Sequence, residues 1–166
     1  MNQVRKIPII ASTVFFLFIL SSNESVSGVR NNPNALRAVE EIDVVVQNLG
    51  GRPENSRFSH DQIKAEVEAK LRLAGIRVST EALPTLYVDI HSYEYPKYPG
   101  LVVITIRLDL YQFVYLPAPN EVLWTSTWST ESVAVSGGAN GSDTKDLMKG
   151  HLEKFINDYL SVNAKK

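Results

Sequence analysis

Residues 101–116 alternate almost without interruption. Val102, Ile104, Ile106, Leu108 and Leu110 recur on one side, and Thr105, Arg107, Asp109 and Tyr111 on the other. Successive side chains of a strand point to opposite faces, so this run buries its apolar set only as a β-strand in a sheet covered on one side and wet on the other. It reads as the central strand of that sheet. The run is also longer than the usual strand of about five or six residues, so it either carries a bulge or projects past its neighbours.

The rest of the chain supplies the neighbours and the cover. Residues 35–49 contain Ile42-Asp43-Val44-Val45-Val46, a β-branched cluster that reads as a first strand. Gly50, Gly51, Arg52 and Pro53 break it. A helix start follows, with Ser59 as N-cap, Gln62 completing a capping box, and Phe58 and Ile63 placed for a hydrophobic staple. Ile63, Val67, Leu71 and Ala74 recur on one helical face, and Gly75 ends the helix.

Residues 83–93 alternate, with Leu86, Val88 and Ile90 opposite Tyr87, Asp89 and His91. Pro96, Pro99 and Gly100 mark the turn into the central strand, and Pro117-Ala118-Pro119-Asn120 marks the next hairpin. Residues 121–135, with Trp124, Trp128 and many Thr and Ser, form a fourth strand, although the facing of the two tryptophans cannot be read from spacing. Gly137, Gly138 and Gly141 end it, and Ser142 or Asp143 caps a last helix striped by Leu147, Met148, Leu152, Phe155, Ile156, Tyr159 and Leu160. The expectation is an α+β fold, β-α-β-β-β-α: a four-stranded, mostly antiparallel sheet with two helices packed on one face.

The N-terminus reads as a secretory signal. Arg5 and Lys6 precede an uncharged apolar run over residues 7–20, and Ser25-Val26-Ser27 offers small residues before a cleavage point at Gly28. The expected organisation is a signal peptide over 1–27, a flexible lead-in over 28–34 and a single α+β domain over 35–166. The apolar run is shorter than the roughly 20 residues of a membrane span and contains Pro8, Ser12 and Thr13. With no cysteine in the chain, neither a lipid-modified cysteine nor a disulfide is available, so core burial alone must hold the domain. Export without cysteine fits a bacterial envelope, with the protein periplasmic or secreted.

Net charge is −1 for the whole chain and falls by one more when Arg5, Lys6 and Glu24 leave with the signal. That balance argues against binding a phosphate backbone. Asp89, His91 and Asp109 are the one enzyme-like group, a carboxylate beside an imidazole with a second carboxylate on the next strand. No G-x-S-x-G elbow or cysteine nucleophile accompanies them. His60, His91 and His151 fall in three separate elements without metal-ligand spacing, so neither a metal nor another cofactor is expected. The glycine-rich segment 137–141 has neither phosphate-loop spacing nor the Lys that such loops carry.

What remains is the wet sheet face. Tyr87, Asp89, His91 and Tyr93 on one strand and Thr105, Arg107, Asp109, Tyr111 and Phe113 on the next combine apolar area with hydrogen-bonding groups, the mixture found at protein contacts and in carbohydrate or peptide grooves. Tyr95 and Tyr98, in the proline-rich loop at one end of that face, extend it.

The segments Ala74-Gly75-Ile76-Arg77-Val78, Leu86-Tyr87-Val88-Asp89-Ile90 and Phe155-Ile156-Asn157-Asp158-Tyr159-Leu160 give the chain a layout that resembles small exported bacterial envelope proteins. In outline it is similar to the N-terminal domain of TolB and to related accessory domains of envelope machines. The resemblance implies binding or scaffolding and transfers no functional residue. The expected function is a non-catalytic binding or accessory module of the cell envelope, meeting another envelope protein or itself and reaching a membrane only through an uncleaved signal. The alternatives are a small exported hydrolase using the Asp/His/Asp group and a self-assembling structural subunit.

Overall fold

The computed structural model describes residues 32–37, 39–47, 59–136 and 141–163. The expected signal peptide with its cleavage point, and Phe58 of the expected staple, lie outside the described residues. The first described element is a 3-10 turn at Pro33–Leu36, capped by the Asn32 side chain with Pro33 at its first position. Pro33 and Asn34, read from the sequence as lead-in, therefore belong to the fold. The expected first strand is also shorter than 35–49, because the Asn-Pro pair initiates a turn and extended structure begins only at β1, Glu41–Val46.

Helix α1, His60–Leu73, starts at the expected capping box: the Ser59 hydroxyl accepts from the Gln62 N–H, and the Gln62 side chain accepts from the Ser59 N–H. Ile63, Val67 and Leu71 are its buried face. Gly75 takes a φ of +81°, the left-handed turn that stops the helix and that a Cβ disfavours. The chain then enters β2, Arg77–Val78, which runs parallel to β1.

Next come β3, Thr85–Glu94, β4, Val102–Leu116, and β5, Glu121–Ser136, joined as an antiparallel meander, and then α2, Gly141–Asn163. The helix begins at Gly141, so the expected cap positions Ser142 and Asp143 fall within its first turn. The sheet order is β2-β1-β3-β4-β5, with β1 parallel to both β2 and β3. The expected four-stranded, mostly antiparallel sheet is thus a five-stranded mixed one. A two-residue strand is too short to show alternation, so β2 is invisible in the sequence. For the same reason the middle position belongs to β3, and β4 lies one place towards the edge.

One hydrophobic core joins both helices to one face of the sheet. Ile42, Val44, Leu86, Val88, Ile90, Ile106, Leu108 and Trp128 pack with Ile63, Val67 and Leu71 of α1 and with Met148, Leu152 and Phe155 of α2. The N-terminal turn is tied to this body by side chains: Gln112 donates to the Ala35 carbonyl at 2.9 Å, Asn163 to that of Leu36 at 2.8 Å, and the Tyr159 hydroxyl to that of Val39 at 2.8 Å. Burial pushes the Tyr159 phenol above its ordinary pKa, which keeps that donor protonated.

Candidate functional site

With both helices on one side, the opposite face of the sheet is built from the outward residues of β1, β3, β4 and β5. Register aligns them in rows. Tyr87 faces Asp109 and Asp109 faces Ser129; Asp89, Arg107 and Glu131 form the next row; His91, Thr105 and Val133 the next; Tyr93, Val103 and Val135 the last. Seven of the nine residues expected from the sequence, Tyr87, Asp89, His91, Tyr93, Arg107, Asp109 and Tyr111, therefore share one surface. Tyr95 and Tyr98 sit in the loop at its end, which is held by backbone bonds and by the Gly100 N–H donating to Glu94 at 2.9 Å.

The surface is divided into three bands. At one end Tyr93 meets Tyr95 edge-on at 6.4 Å, and Tyr95 stacks on Tyr98 at 5.7 Å. At the other end Tyr87 meets Tyr111 edge-on at 5.2 Å, Tyr111 leads to Trp124 at 6.1 Å, and Trp124 to Phe113 at 4.8 Å. Between them lies a charged band. Arg107 is paired with Asp109, with its Nη2 donating to Oδ1 at 3.1 Å, and the Ser126 hydroxyl donates to the same oxygen at 3.2 Å. The Asp109 hydrogen bond and the charges of Asp109 and Glu131 raise the Arg107 pKa further, so its charge is fixed. His91 Nε2 lies 3.0 Å from an Asp89 carboxylate oxygen. Three carboxylates thus surround a single guanidinium, and the band is net acidic.

The enzyme-like trio does not converge. Asp89 and His91 form a pair on the open strand, whereas Asp109 is only 6% exposed and is bonded to Arg107 and Ser126. The three histidines are dispersed as their spacing implies: His60 is exposed in the first turn of α1, His91 is on the open face, and His151 lies between helix and sheet, bonded to Thr130 at 2.9 Å and Ser132 at 2.7 Å. Burial lowers the His151 pKa below the ordinary 6.5, against an opposing pull from Glu131. Among the described residues no group of three or more His, Cys, Asp or Glu side chains could hold a metal ion.

The part of this surface that spacing revealed only as far as Phe113 is its far end. β3 stops opposite Tyr111, so residues 112–116 pair only with 121–125 and form a two-stranded arm beyond the sheet. Phe113, Tyr115 and Val122 on this arm are each more than half exposed. At the root of the arm the register shifts between Leu110 and Tyr111: Leu110 pairs with Trp128, Tyr111 with Ser126, and Thr127 is the extra residue. Its hydroxyl accepts from Gln112 at 2.7 Å and donates to the Leu110 carbonyl at 3.2 Å. This bulge turns Trp124 to the open face while Trp128 is fully buried against Phe155.

No family model matches the chain, and no curated protein matches it. Among solved structures, the crystal structure of a minor lipoprotein from Acinetobacter baumannii is similar at a TM-score of 0.31 and 11% identity, covering 74% of this chain and 86% of that one. A likeness this slight carries no role across.

Proposed function

We propose that the protein is a non-catalytic binding or accessory module of the bacterial cell envelope, periplasmic or secreted, whose contact surface is the open sheet face. The observation that carries this reading is the three-band surface itself: two exposed aromatic clusters flank an acidic, ion-paired strip on the face that neither described helix covers. Exposed aromatic area of this kind costs solubility and is retained at contact sites. The bands suit a protein partner that lays apolar side chains on both ends and a basic or hydrogen-bond-donating group across the middle. Placement in the envelope rests on the signal-like N-terminus and on the resemblance in layout to envelope accessory domains. No cofactor enters the proposal.

The test is cross-linked capture from native envelope extract by the exported protein and by two surface variants, Tyr93→Ser with Tyr98→Ser, and Phe113→Ser with Tyr115→Ser. These side chains are all more than half exposed, so melting curves should be unchanged. A partner held by the parent protein and lost from either variant supports the reading. Equal capture by all three moves the contact off this face.

A further inference from the structure

We infer that two copies of this chain pair antiparallel through the outer edge of β5, joining their sheets into one about a twofold axis. This goes beyond the proposed function and does not depend on the open face having a ligand.

The sheet order ends at β5, and among the described residues only β4 pairs with it. Its outer edge is 16 residues long, about 50 Å at roughly 3.3 Å per residue. Exposed edges are ordinarily blunted by lysine, proline, a bulge or shortness. Residues 121–136 contain no Lys, Arg or Pro, and their only charges are Glu121 and Glu131. The bulge at Thr127 is the one such device, and it leaves a regular segment on either side. The sheet's other edge, β2, is two residues long and flanked by the Arg77–Glu40 ion pair at 2.9 Å. It cannot serve as template for β5, so head-to-tail growth has no complementary surface, whereas β5 against β5 closes after one step.

The side chains of β5 are self-complementary when the strand is reversed. Setting Trp124 opposite Val133 of the second copy also sets Val122 opposite Val135 and Ser126 opposite Glu131 on the open face, and Leu123 opposite Ala134 and Thr125 opposite Ser132 on the helix side. The exposed apolar residues of β5, Val122, Leu123, Trp124, Val133 and Val135, each gain an apolar neighbour. Glu131 avoids its own copy, and the axis falls between Trp128 and Ser129, where the two bulges interrupt the pairing over residues 127–130 and leave a regular segment on either side. Alternative registers are worse. A slip of one residue crosses the two faces. A slip of two sets Trp124 against Glu131, or leaves Val122 beyond the end of the partner strand.

Sedimentation of the exported protein should give a dimer that dissociates on dilution. Val122→Lys with Val135→Lys places like charges opposite each other twice and should leave a monomer with an unchanged melting curve, since both side chains are more than half exposed. Val122→Lys with Val135→Glu should restore the dimer, an outcome that mere surface charging would not produce. In this cysteine-free chain, Trp124→Cys with Val133→Cys should oxidise to a covalent dimer while neither single variant does. A parent protein that stays monomeric at all concentrations, a Lys/Lys variant as dimeric as the parent, or cross-linking by Trp124→Cys alone would overturn the inference.

Discussion

Trp124 and Trp128 stand four residues apart on one strand, a spacing that simple alternation would place on one face. Thr127 inserts a residue between them, so one indole faces solvent and the other is sealed in the core with its N–H donating to Asp158 at 2.9 Å. Trp128→Ala should cost about 3–5 kcal/mol of stability and Trp124→Ala about 1 or less, as read from denaturant unfolding. A soluble quencher should reach only the emission of Trp124. His151 gives a second expectation at this scale. Because burial lowers its pKa below 6.5, the unfolded chain takes up the proton first as pH falls. Its contribution is therefore fully present above about pH 6.5 and is lost as pH drops below it. His151→Gln, which can keep bonds to the two hydroxyls, should flatten the melting temperature over that window. The placement of Tyr87, Asp89, His91, Arg107, Asp109 and Tyr111 on one face was legible because each stands in an unbroken stretch of alternation. The facing of the tryptophans was not, because a bulge has no consistent residue signature.

Helix α1 was read accurately at both ends. Ser59 and Gln62 define the start of α1 through two hydrogen bonds that any helix N-terminus needs, and Gly75 defines its end through a backbone angle. Ser59→Ala should therefore cost about 1 kcal/mol in thermal or denaturant unfolding. Two other elements escaped. β2 exists because Arg77 and Val78 pass alongside Glu41 and Ile42, a tertiary event that two residues cannot announce. The turn at Pro33–Leu36 was masked by the even spacing of Leu36, Ala38, Ile42, Val44 and Val46, which matched a strand although Leu36 is buried from a different element. The arm was half legible: the length of β4 implied a bulge or an overhang, and the overhang is present, while the bulge's extra residue, Thr127, stands on β5. What the length could not say is that the overhang carries Phe113, Tyr115 and Trp124 together.

For the molecule as a whole, a single core holds together a chain that has no cysteine to cross-link. The last helix supplies Met148, Leu152 and Phe155 to that core, and Tyr159 and Asn163 also fasten the first turn of the fold. Leu152→Ala should cost about 2–5 kcal/mol, and its effect should appear in one cooperative transition reporting on both ends of the chain. The closing role of α2 bears on biogenesis. A chain made from its N-terminus can form the meander early, but its first turn and Trp128 complete their contacts only when residues 141–163 have followed. Until then the core stays open on that side, so α2 acts as a latch: it follows the sheet and fixes the start of the fold in place.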